Sequence, residues 1–367
     1  MGKLVRAIGL MSGTSMDGID VALLETDGQA ELRHGPAASY PYQPEVKARL
    51  RRAVSEAREL SERRARPGSL GEVERELTIL NAQAVERFRR SNGIAKSAIE
   101  LIGYHGQTVL HDSGRCLTVQ LGDGRLLAEY TGTNVVYDLR AADLARGGQG
   151  APLTPVYHRA LAIQRKDLPA AFLNIGGVAN VTWVGLRLLA FDTGPGNALV
   201  DDWMLKHTGT AQDAGGAAAA RGRVNQAALQ ELLSDRYFRV SPPKSLDRNA
   251  FSAEPVAGLS LEDGAATLCA FTAASIAKAR AHMPQEPKIW IVCGGGRKNK
   301  TLMTMIAAGV QNALVPVEAV GLNGDFIEAE AWAYLAVRSS LGLPITYPET
   351  TGVSEPLTSG VFATAPH

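Results

Sequence analysis

The sequence has 367 residues, of which 45% are hydrophobic and 20% are charged. An apolar content this high is typical of folded domains and excludes a disordered chain. The 38 basic residues nearly balance the 37 acidic ones, so the net charge is +1. Proteins that hold nucleic acid by its phosphates usually carry a clear basic excess, so we expect no nucleic-acid partner. The length predicts two or three domains.

The three cysteines, Cys116, Cys269 and Cys293, are far apart and form no C-x-x-C pair. Isolated cysteines in odd number are typical of a reducing compartment, and we expect a cytoplasmic protein. The apolar run at residues 7–11 is too short for a signal peptide. No stretch approaches the ~18 apolar residues of a membrane helix, so we expect no membrane partner.

The first half opens with two predicted strands, residues 5–11 and 19–24, joined by a polar loop that contains glycine. Two apolar runs around such a loop predict a β-hairpin. A third strand is predicted over residues 32–42.

Two helical patterns follow, over residues 44–66 and 70–88, and a further strand is predicted at 101–104. Ser69 and Glu72 have the spacing of a capping box at the start of the second helix.

The second half begins in the same way. Two apolar runs, residues 171–175 and 181–184, flank a glycine-containing turn and predict another hairpin. Residues 188–191 predict a third strand that ends at Asp192 and leads into a tight turn. Asn197 then caps a predicted helix.

A last predicted strand, residues 289–293, runs into Gly294, Gly295 and Gly296, and a helix is predicted from about Asn299. A strand, a glycine turn and a helix in succession suit nucleotide binding. The whole pattern predicts an α/β protein with two related halves.

The loop after the first strand is the first candidate for chemistry. Small residues at Gly13 and Gly18 allow backbone N–H groups to approach a phosphate, and the hydroxyls of Thr14 and Ser15 can donate to it. Asp17 can hold Mg²⁺ directly or through water. No lysine follows the glycines, so the loop is not a Walker A motif. The alternative is an ordinary polar hairpin loop.

The segment 192–197, Asp-Thr-Gly-Pro-Gly-Asn, is the second candidate. A carboxylate at the carboxyl end of a strand faces the crevice where α/β proteins bind ligands. Asp192 therefore suits a general base or a metal-linked role, and the alternative is an Asp that only starts a turn. The glycines of residues 174–180 can form a second phosphate cradle or simply a tight hairpin.

Other polar residues are less specific. His105 and His111 lack a third ligand of suitable spacing, so they do not predict zinc; they can line a pocket or serve the structure. Arg140 can bind a carboxylate in a bidentate manner or form a surface ion pair. Glu328 and Glu330 lie on a packed helix, and the pattern does not show which of them faces a site.

Together, and in this order, the motifs resemble one family, the anhydro-N-acetylmuramic acid kinases. The matching segments are residues 9–20, 103–111, 120–123, 147–152, 174–181, 191–197, 242–245 and 293–299. The resemblance covers nearly the whole chain. The sequence departs from the family at residues 246–249, where Leu-Asp-Arg-Asn replaces the usual Thr-Gly-Arg-Glu.

The resemblance implies two related actin-like ATPase (ribonuclease H-like) domains that flank an ATP cleft. The implied domains are residues 1–135, alternatively joined by the C-terminal tail, and residues 136–367. It also implies a dimeric, cytoplasmic enzyme of peptidoglycan recycling. With ATP and Mg²⁺ this enzyme would convert the amino sugar 1,6-anhydro-N-acetylmuramic acid into N-acetylmuramic acid 6-phosphate.

The same resemblance implies roles for individual residues. Asp192 would be the general base that activates water, and Asp17 would be a Mg²⁺ ligand. The implied nucleotide-binding residues are Gly13, Thr14, Ser15, Met16, Asp17, Gly18, Ile19, Asp20, Asn174, Gly176, Gly177, Gly194, Gly196, Asn197, Gly294, Gly295, Gly296 and Asn299. The implied substrate residues are His105, Gln107, Gln120, Arg140, Glu328 and Glu330.

Two other interpretations remain at this point. One is a kinase for a different sugar, in which Asp192 deprotonates a hydroxyl group instead of water. The other is an ATP-gated binding protein, for which 367 residues leave little room for a client-binding domain.

Overall fold

The computed structural model describes residues 2–13 and 15–366. These residues form two compact units. Unit 1 contains the chain up to Arg165 together with the chain from Phe326 onward, and unit 2 is Lys166–Asp325. The predicted domain boundary between residues 135 and 136 stays a prediction.

The secondary-structure elements are numbered in chain order. The strands of the described residues are β1 (Val5–Ser12), β2 (Gly18–Thr26), β3 (Leu32–Pro41), β4 (Leu101–Asp112), β5 (Leu117–Leu121), β6 (Asn134–Tyr137), β7 (Ala170–Ile175), β8 (Val178–Val184), β9 (Leu188–Pro195), β10 (Ile289–Cys293), β11 (Ala313–Pro316) and β12 (Val361–Ala363). The α-helices of the same residues are α1 (Pro44–Ala57), α2 (Leu70–Ser91), α3 (Gly124–Thr131), α4 (Ala141–Ala145), α5 (Pro155–Arg165), α6 (Ala198–Thr208), α7 (Ala217–Arg221), α8 (Gln226–Leu232), α9 (Leu261–Ala279), α10 (Lys300–Gly309), α11 (Ile327–Ser340) and α12 (Pro348–Thr351).

The sheet of unit 1 has the order β12-β6-β4-β1-β2-β3, with β5 paired to β4. Strands β1, β2 and β3 form an antiparallel meander, and β4 runs parallel to both β1 and β6. Helix α11 packs closely on one face, because Gly9 and Gly103 have no side chain there. A Cβ at Gly9 would lie 1.8 Å from the carbonyl oxygen of Ala329. On the other face Ile8 and Ile102 join the core formed with α1 and α2.

The sheet of unit 2 repeats this plan, with the order β11-β10-β7-β8-β9. Strands β7, β8 and β9 form the antiparallel meander, and β10 runs parallel to both β7 and β11. Each sheet therefore has three antiparallel strands followed by parallel ones in the same spatial order. This repeat confirms the predicted α/β fold with two related halves.

Helix starts differ from the predictions in their side-chain bonds. Ser69 is the N-cap residue of α2, but its side chain makes no capping bond, so the predicted capping box is wrong. The hydroxyl of Ser69 instead donates to Glu56 at the end of α1, over 2.8 Å. Asn197 is the N-cap residue of α6, and it too makes no side-chain capping bond. A tertiary partner outcompetes the local one in both cases, since Asn197 donates to the carbonyl of Ile175 over 3.3 Å.

Strand β9 also continues beyond its predicted end at residue 191. Residues 192–195 stay in the sheet because Gly194 pairs with Ala179 of β8. Asp192 is therefore held in a strand, opposite Asn180, and does not start a turn. None of the helices in the described part of the chain is both long enough and apolar enough to cross a membrane.

Candidate active site

Asp192 is fixed by a short segment that folds back against β9. The N–H of Leu246 donates to Oδ2 of Asp192 over 2.7 Å, and the N–H of Asp192 donates to the carbonyl of Lys244 over 3.0 Å. The hydroxyl of Tyr237 donates to the backbone carbonyl of Asp192 over 2.5 Å. The carboxylate thus has a defined orientation.

The protonation of Asp192 follows from its surroundings. Burial raises the pKa of Asp192 to about 7, and the hydrogen bond from Leu246 opposes this increase only in part. A carboxylate with a pKa near neutrality is a stronger base than an exposed one and is still largely ionised at slightly alkaline pH. The position suits a general base.

The sequence pattern predicts no role for Tyr237 or Lys244. The ammonium group of Lys244 lies 4.4 Å from the centre of the Tyr237 ring and donates to the Tyr237 carbonyl over 3.1 Å. Lys244 belongs to the segment 242–245, which supported the family resemblance, but its contact with Tyr237 depends on folding of the chain.

The glycines predicted for nucleotide binding in unit 2 come together at the ends of β7, β9 and β10. The N–H of Asn197 donates to the carbonyl of Gly176 over 2.7 Å, and the N–H of Gly196 donates to the carbonyl of Gly177 over 2.9 Å. A Cβ at Gly294 would lie 2.4 Å from Oδ1 of Asn174. We call this group the glycine cluster of unit 2: Asn174, Gly176, Gly177, Gly194, Gly196, Asn197, Gly294, Gly295 and Gly296.

Parts of this cluster are open. A Cβ at Gly295 would have no atom of the described residues within 4 Å, and a Cβ at Gly177 would meet its nearest neighbour at 3.8 Å. Open backbone of this kind can accept a phosphate or a ribose close to its N–H groups. The side chain of Asn299 accepts from the N–H of Leu302 and caps α10, and its predicted contact with the nucleotide stays a prediction.

In unit 1 the predicted phosphate loop connects β1 and β2. Thr14 lies outside the described residues. The N–H of Met16 donates to the carbonyl of Gly13 over 3.1 Å, and Met16 has a positive φ of 57°. The side chain of Ser15 is exposed, whereas Ile19 is buried in the core, so only the backbone of Ile19 is available to a ligand.

Asp17 is exposed at the end of this loop. Its Oδ1 lies 3.3 Å from the ammonium group of Lys47. No group of three or more metal-ligating side chains occurs in residues 2–13 and 15–366. Mg²⁺ in nucleotide enzymes is usually held by one or two carboxylates plus substrate phosphates, so a single carboxylate such as Asp17 fits that donor set.

A second polar group in unit 1 surrounds Arg140. Its guanidinium donates to the carbonyl of Gly150 over 2.8 Å and approaches Nε2 of His105 at 3.4 Å. It also lies 5.5 Å from the centre of a Trp332 ring. Within the described residues its Nε is buried without a hydrogen-bond partner. A buried donor without a partner is costly unless another group reaches it, and a guanidinium N–H can donate to an anion.

The charges around Arg140 are coupled. Burial raises the pKa of Glu328, and Arg140 opposes this increase while Asp20 adds to it. Burial, together with Arg140, lowers the pKa of His105 to about 3, so this imidazole is neutral at pH 7. Its Nε2 faces two donors, Arg140 and Thr108, so the proton lies on Nδ1 and is donated to the carbonyl of Ser12.

Gln107 lies next to this group. It is buried, and its Nε2 donates to the carbonyl of Gly13 over 3.1 Å. Its Oε1 is buried without a partner in the described part of the chain. Gln120 is further along the sheet and donates to Thr118 over 2.8 Å.

The structure shows different surroundings for Glu328 and Glu330, the two glutamates between which the sequence pattern could not decide. Glu328 acts electrostatically on Arg140, whereas Glu330 accepts from the hydroxyl of Tyr157 over 2.7 Å and pairs with His34 at 3.1 Å. Glu328 therefore belongs to the Arg140 group, and Glu330 joins α11 to α5 and β3. Periodicity could not show this, because both residues lie on a helix that is packed on most sides.

The chain is similar in sequence to one known family of proteins. A family model described as anhydro-N-acetylmuramic acid kinase matches residues 5–365. An anhydro-N-acetylmuramic acid kinase of Agrobacterium fabrum is 50% identical and covers 100% of both chains. One from Rhodospirillum rubrum is 52% identical and covers 98% of this chain and 94% of the relative. Among solved structures, component A of the (R)-2-hydroxyglutaryl-CoA dehydratase of Acidaminococcus fermentans has a TM-score of 0.48 at 12% identity, with coverage of 92% and 99%.

The family match over residues 5–365 identifies the class of this protein, which is a kinase. The family match spans almost the full sequence, and relatives at about half identity carry the same name. The chain belongs to the anhydro-N-acetylmuramic acid kinase family.

Proposed function

We propose that this kinase opens 1,6-anhydro-N-acetylmuramic acid with water and phosphorylates the released O6 from ATP, giving N-acetylmuramic acid 6-phosphate and ADP. The observation that carries the proposal is Asp192, a buried carboxylate with a raised pKa in a fixed orientation. The full-length family match supports the choice of sugar.

The bridge from O6 to C1 explains why a base for water is needed. The sugar has no free 6-hydroxyl, so water must attack C1 while the C1–O6 bond breaks. Asp192 takes the proton of that water, and the electrons of the broken bond go to O6. O6 then attacks the γ-phosphorus of ATP, and ADP leaves. A positioned base contributes about 10²–10⁴-fold to such a step.

Leu246 and Tyr237 hold this base. The Leu246 N–H occupies Oδ2, which leaves Oδ1 available for water. The contact uses the backbone of Leu246, so the departure from the family sequence at residues 246–249 does not remove it.

Arg140 is proposed to bind the lactyl carboxylate of the sugar. Its buried Nε has no partner within the described residues, and neutral His105 and the Trp332 ring fix its plane. An arginine restrained in this way can form two parallel hydrogen bonds to a carboxylate. The negative charge of Glu328 partly compensates the positive charge of the guanidinium before substrate binds.

The backbone of Gly13–Gly18 and the glycine cluster of unit 2 are proposed to contact the nucleotide. Asp17 is proposed to hold Mg²⁺, after exchange of its contact with Lys47. When bound, Mg²⁺ neutralises the phosphate charge that develops during transfer.

We further propose that the enzyme acts in cytoplasmic peptidoglycan recycling. Within the described residues the three cysteines form no disulfide, and two of them are buried, which suits a reducing compartment. The homodimer implied by the family resemblance stays a prediction.

The test is a comparison of sugar acceptors with Mg·ATP under identical conditions. We expect one ADP for each N-acetylmuramic acid 6-phosphate when the sugar is 1,6-anhydro-N-acetylmuramic acid, and little ADP with N-acetylmuramic acid or N-acetylglucosamine. Efficient phosphorylation of a sugar with a free 6-hydroxyl, and none of the anhydro sugar, would favour the different-sugar interpretation and overturn the proposal.

A further inference from the structure

Lys244 is a buried lysine of unit 2, with 7% of its surface exposed. Within residues 2–13 and 15–366 its ammonium group makes one hydrogen bond, in which it donates to the backbone carbonyl of Tyr237 over 3.1 Å. Burial lowers the pKa of Lys244, and no carboxylate of the described residues opposes this decrease. An ammonium group has three donors, and burying it without a carboxylate is costly. Core packing alone therefore does not explain a lysine at this place, since an apolar side chain would fill it at a lower cost.

Aromatic rings surround this ammonium group. It lies 4.4 Å from the centre of the Tyr237 ring and 5.8 Å from the centre of the Phe191 ring. Both distances are within the range of cation–π interactions, which extends to about 6 Å. The Tyr237 ring also packs edge-on against Phe238 and Phe251, with ring centres 5.8 and 6.1 Å away. The position of the Tyr237 ring is therefore restrained both by Lys244 and by two phenylalanines.

Lys244 and Tyr237 together enclose the backbone of Asp192. The N–H of Asp192 donates to the carbonyl of Lys244 over 3.0 Å, and the hydroxyl of Tyr237 donates to the carbonyl of Asp192 over 2.5 Å. The ammonium group of Lys244 joins these two partners to each other. The three residues thus form a closed ring of hydrogen bonds, in which only Tyr237 and Lys244 contribute side chains.

This ring acts on Asp192 through contacts and not through charge. Burial and the N–H of Leu246 account for the shifted pKa of Asp192. Leu246 follows Lys244 by two residues, and its N–H holds Oδ2 of the carboxylate. A displacement of Lys244 would therefore move both the Tyr237 hydroxyl and the segment that orients the carboxylate.

We propose that Lys244 is a positioning residue for Asp192, because its side chain holds Tyr237 and the segment up to Leu246 against the base. The inference rests on the proposed role of Asp192 as the general base. A misplacement of about 1 Å in a reacting group can lower the rate by about 100-fold, since the reacting atoms must be aligned. Loss of the Lys244 side chain should therefore lower kcat and leave the affinity for ATP unchanged.

The first test is steady-state kinetics of Lys244→Met with Mg·ATP and the sugar that the acceptor comparison identifies. We expect kcat to fall at least tenfold, with KM for ATP within twofold of the wild type. Lys278→Met, which removes an exposed lysine of unit 2, is the control and should keep normal kcat. Normal kcat in Lys244→Met, or a loss confined to KM for ATP, would overturn the proposal.

The second test repeats the substitution in the Asp192→Asn background, with residual turnover followed by transfer of ³²P from labelled ATP. If Lys244 acts through the carboxylate, Lys244→Met should lower this residual rate less than twofold. A loss as large as in the wild-type background would show that Lys244 supports the fold in general, and it would contradict the positioning role.

Tyr237→Phe keeps the test available if Lys244→Met does not fold. It removes only the hydroxyl that Lys244 helps to place, and it should show the same loss of kcat and the same dependence on Asp192. Normal kcat in Tyr237→Phe would overturn the proposal. Normal kcat in Asp192→Asn would remove both the proposed base and this inference. A large loss in Asp192→Asn with normal kcat in Lys244→Met and Tyr237→Phe would overturn this inference alone.

Discussion

The two hairpins that open the two sheets have the same strand order but different loops. In unit 1 the turn after β1 is open, and a Cβ at Gly13 would meet its nearest atom at 3.6 Å. In unit 2 the corresponding turn is equally open at Gly176, where a Cβ would meet its nearest atom at 3.6 Å. It is held from behind by the segment after β9, because the N–H groups of Gly196 and Asn197 donate to the carbonyls of Gly177 and Gly176. The two copies of one plan therefore differ in what supports the turn.

The third strands differ as well. Strand β9 carries Asp192 near its end, whereas β3 contains no acidic residue at all. The carboxylate of unit 1 that lies beside a candidate ligand group is Glu328, and it comes from α11 instead. A repeated fold thus supplies the backbone framework twice, but each unit adds its own charged group to it.

The largest expected effect comes from removing the carboxylate of β9. Asp192→Asn should lower kcat by about 10²–10⁴-fold, because the amide cannot accept the proton of water. The Asn carbonyl can still accept from Leu246, so ATP affinity should stay the same. Steady-state kinetics and nucleotide titration measure both quantities. Glu231→Gln, an exposed change in unit 2, is the control and should keep normal kcat.

The pH dependence sharpens this prediction. Since the base must be ionised and burial raises its pKa to about 7, kcat/KM should rise as pH increases through 7. A mutant with near-normal turnover, or a wild-type profile without this rise, would remove the assignment of Asp192.

In unit 1 the matching test removes the positive charge of Arg140. Arg140→Ala should raise KM for the sugar by about 10- to 100-fold through loss of charged hydrogen bonds, with little change in KM for ATP. Arg140→Lys keeps the charge but cannot form two parallel hydrogen bonds to a carboxylate. Its KM for the sugar should therefore lie between those of the wild type and Arg140→Ala. An increase confined to KM for ATP would show that Arg140 serves the nucleotide.

Variants of the two glutamates of α11 should differ in what they change, one affecting catalysis and the other stability. Glu328→Gln should lower kcat/KM for the sugar about tenfold, since the charge beside Arg140 is lost, and should leave the melting temperature close to normal. Glu330→Gln should instead lower the free energy of unfolding by about 1–3 kcal/mol, because Tyr157 and His34 lose a charged partner. Steady-state kinetics and thermal unfolding of both variants measure these effects. A loss of stability in Glu328→Gln, with a loss of activity in Glu330→Gln, would contradict the prediction.

A smaller effect concerns the stability contributed by Asp192. Its pKa is near 4 in the unfolded chain and about 7 in the folded one, so the folded state binds more protons between these values. Stability therefore falls as pH rises from about 4 to about 7. Asp192→Asn lacks this loss, so its free energy of unfolding should exceed that of the wild type by on the order of 4 kcal/mol at pH 8, and by almost nothing at pH 4. Urea unfolding at both pH values measures the difference, and an equal difference at both would contradict it.

The sequence predicts the framework better than the site. Alternating apolar runs and glycine turns were sufficient for both hairpins and for the strand that follows each of them, because burial in a sheet imposes that pattern locally. The bonds of Ser69 and Asn197 were mispredicted, since their partners, Glu56 and Ile175, are brought near only by the fold.

The same reason explains which site features the sequence could not supply. Tyr237 is 45 residues from Asp192 along the chain, yet it donates to the Asp192 backbone. The difference between Glu328 and Glu330 arises from what packs against each side of α11. The order of the motifs predicts which segments carry the chemistry, whereas the raised pKa of Asp192 results from burial in the folded chain.

The most direct test of the central claim is the reaction in ¹⁸O-labelled water with Mg·ATP and 1,6-anhydro-N-acetylmuramic acid. If Asp192 activates water for attack at C1, mass spectrometry of early product will find ¹⁸O at C1, after correction for anomeric exchange, and none in the phosphate group. One ADP should form for each labelled sugar, and Asp192→Asn should abolish both. Label in the phosphate, or a 6-phosphate formed without label at C1, would contradict the account.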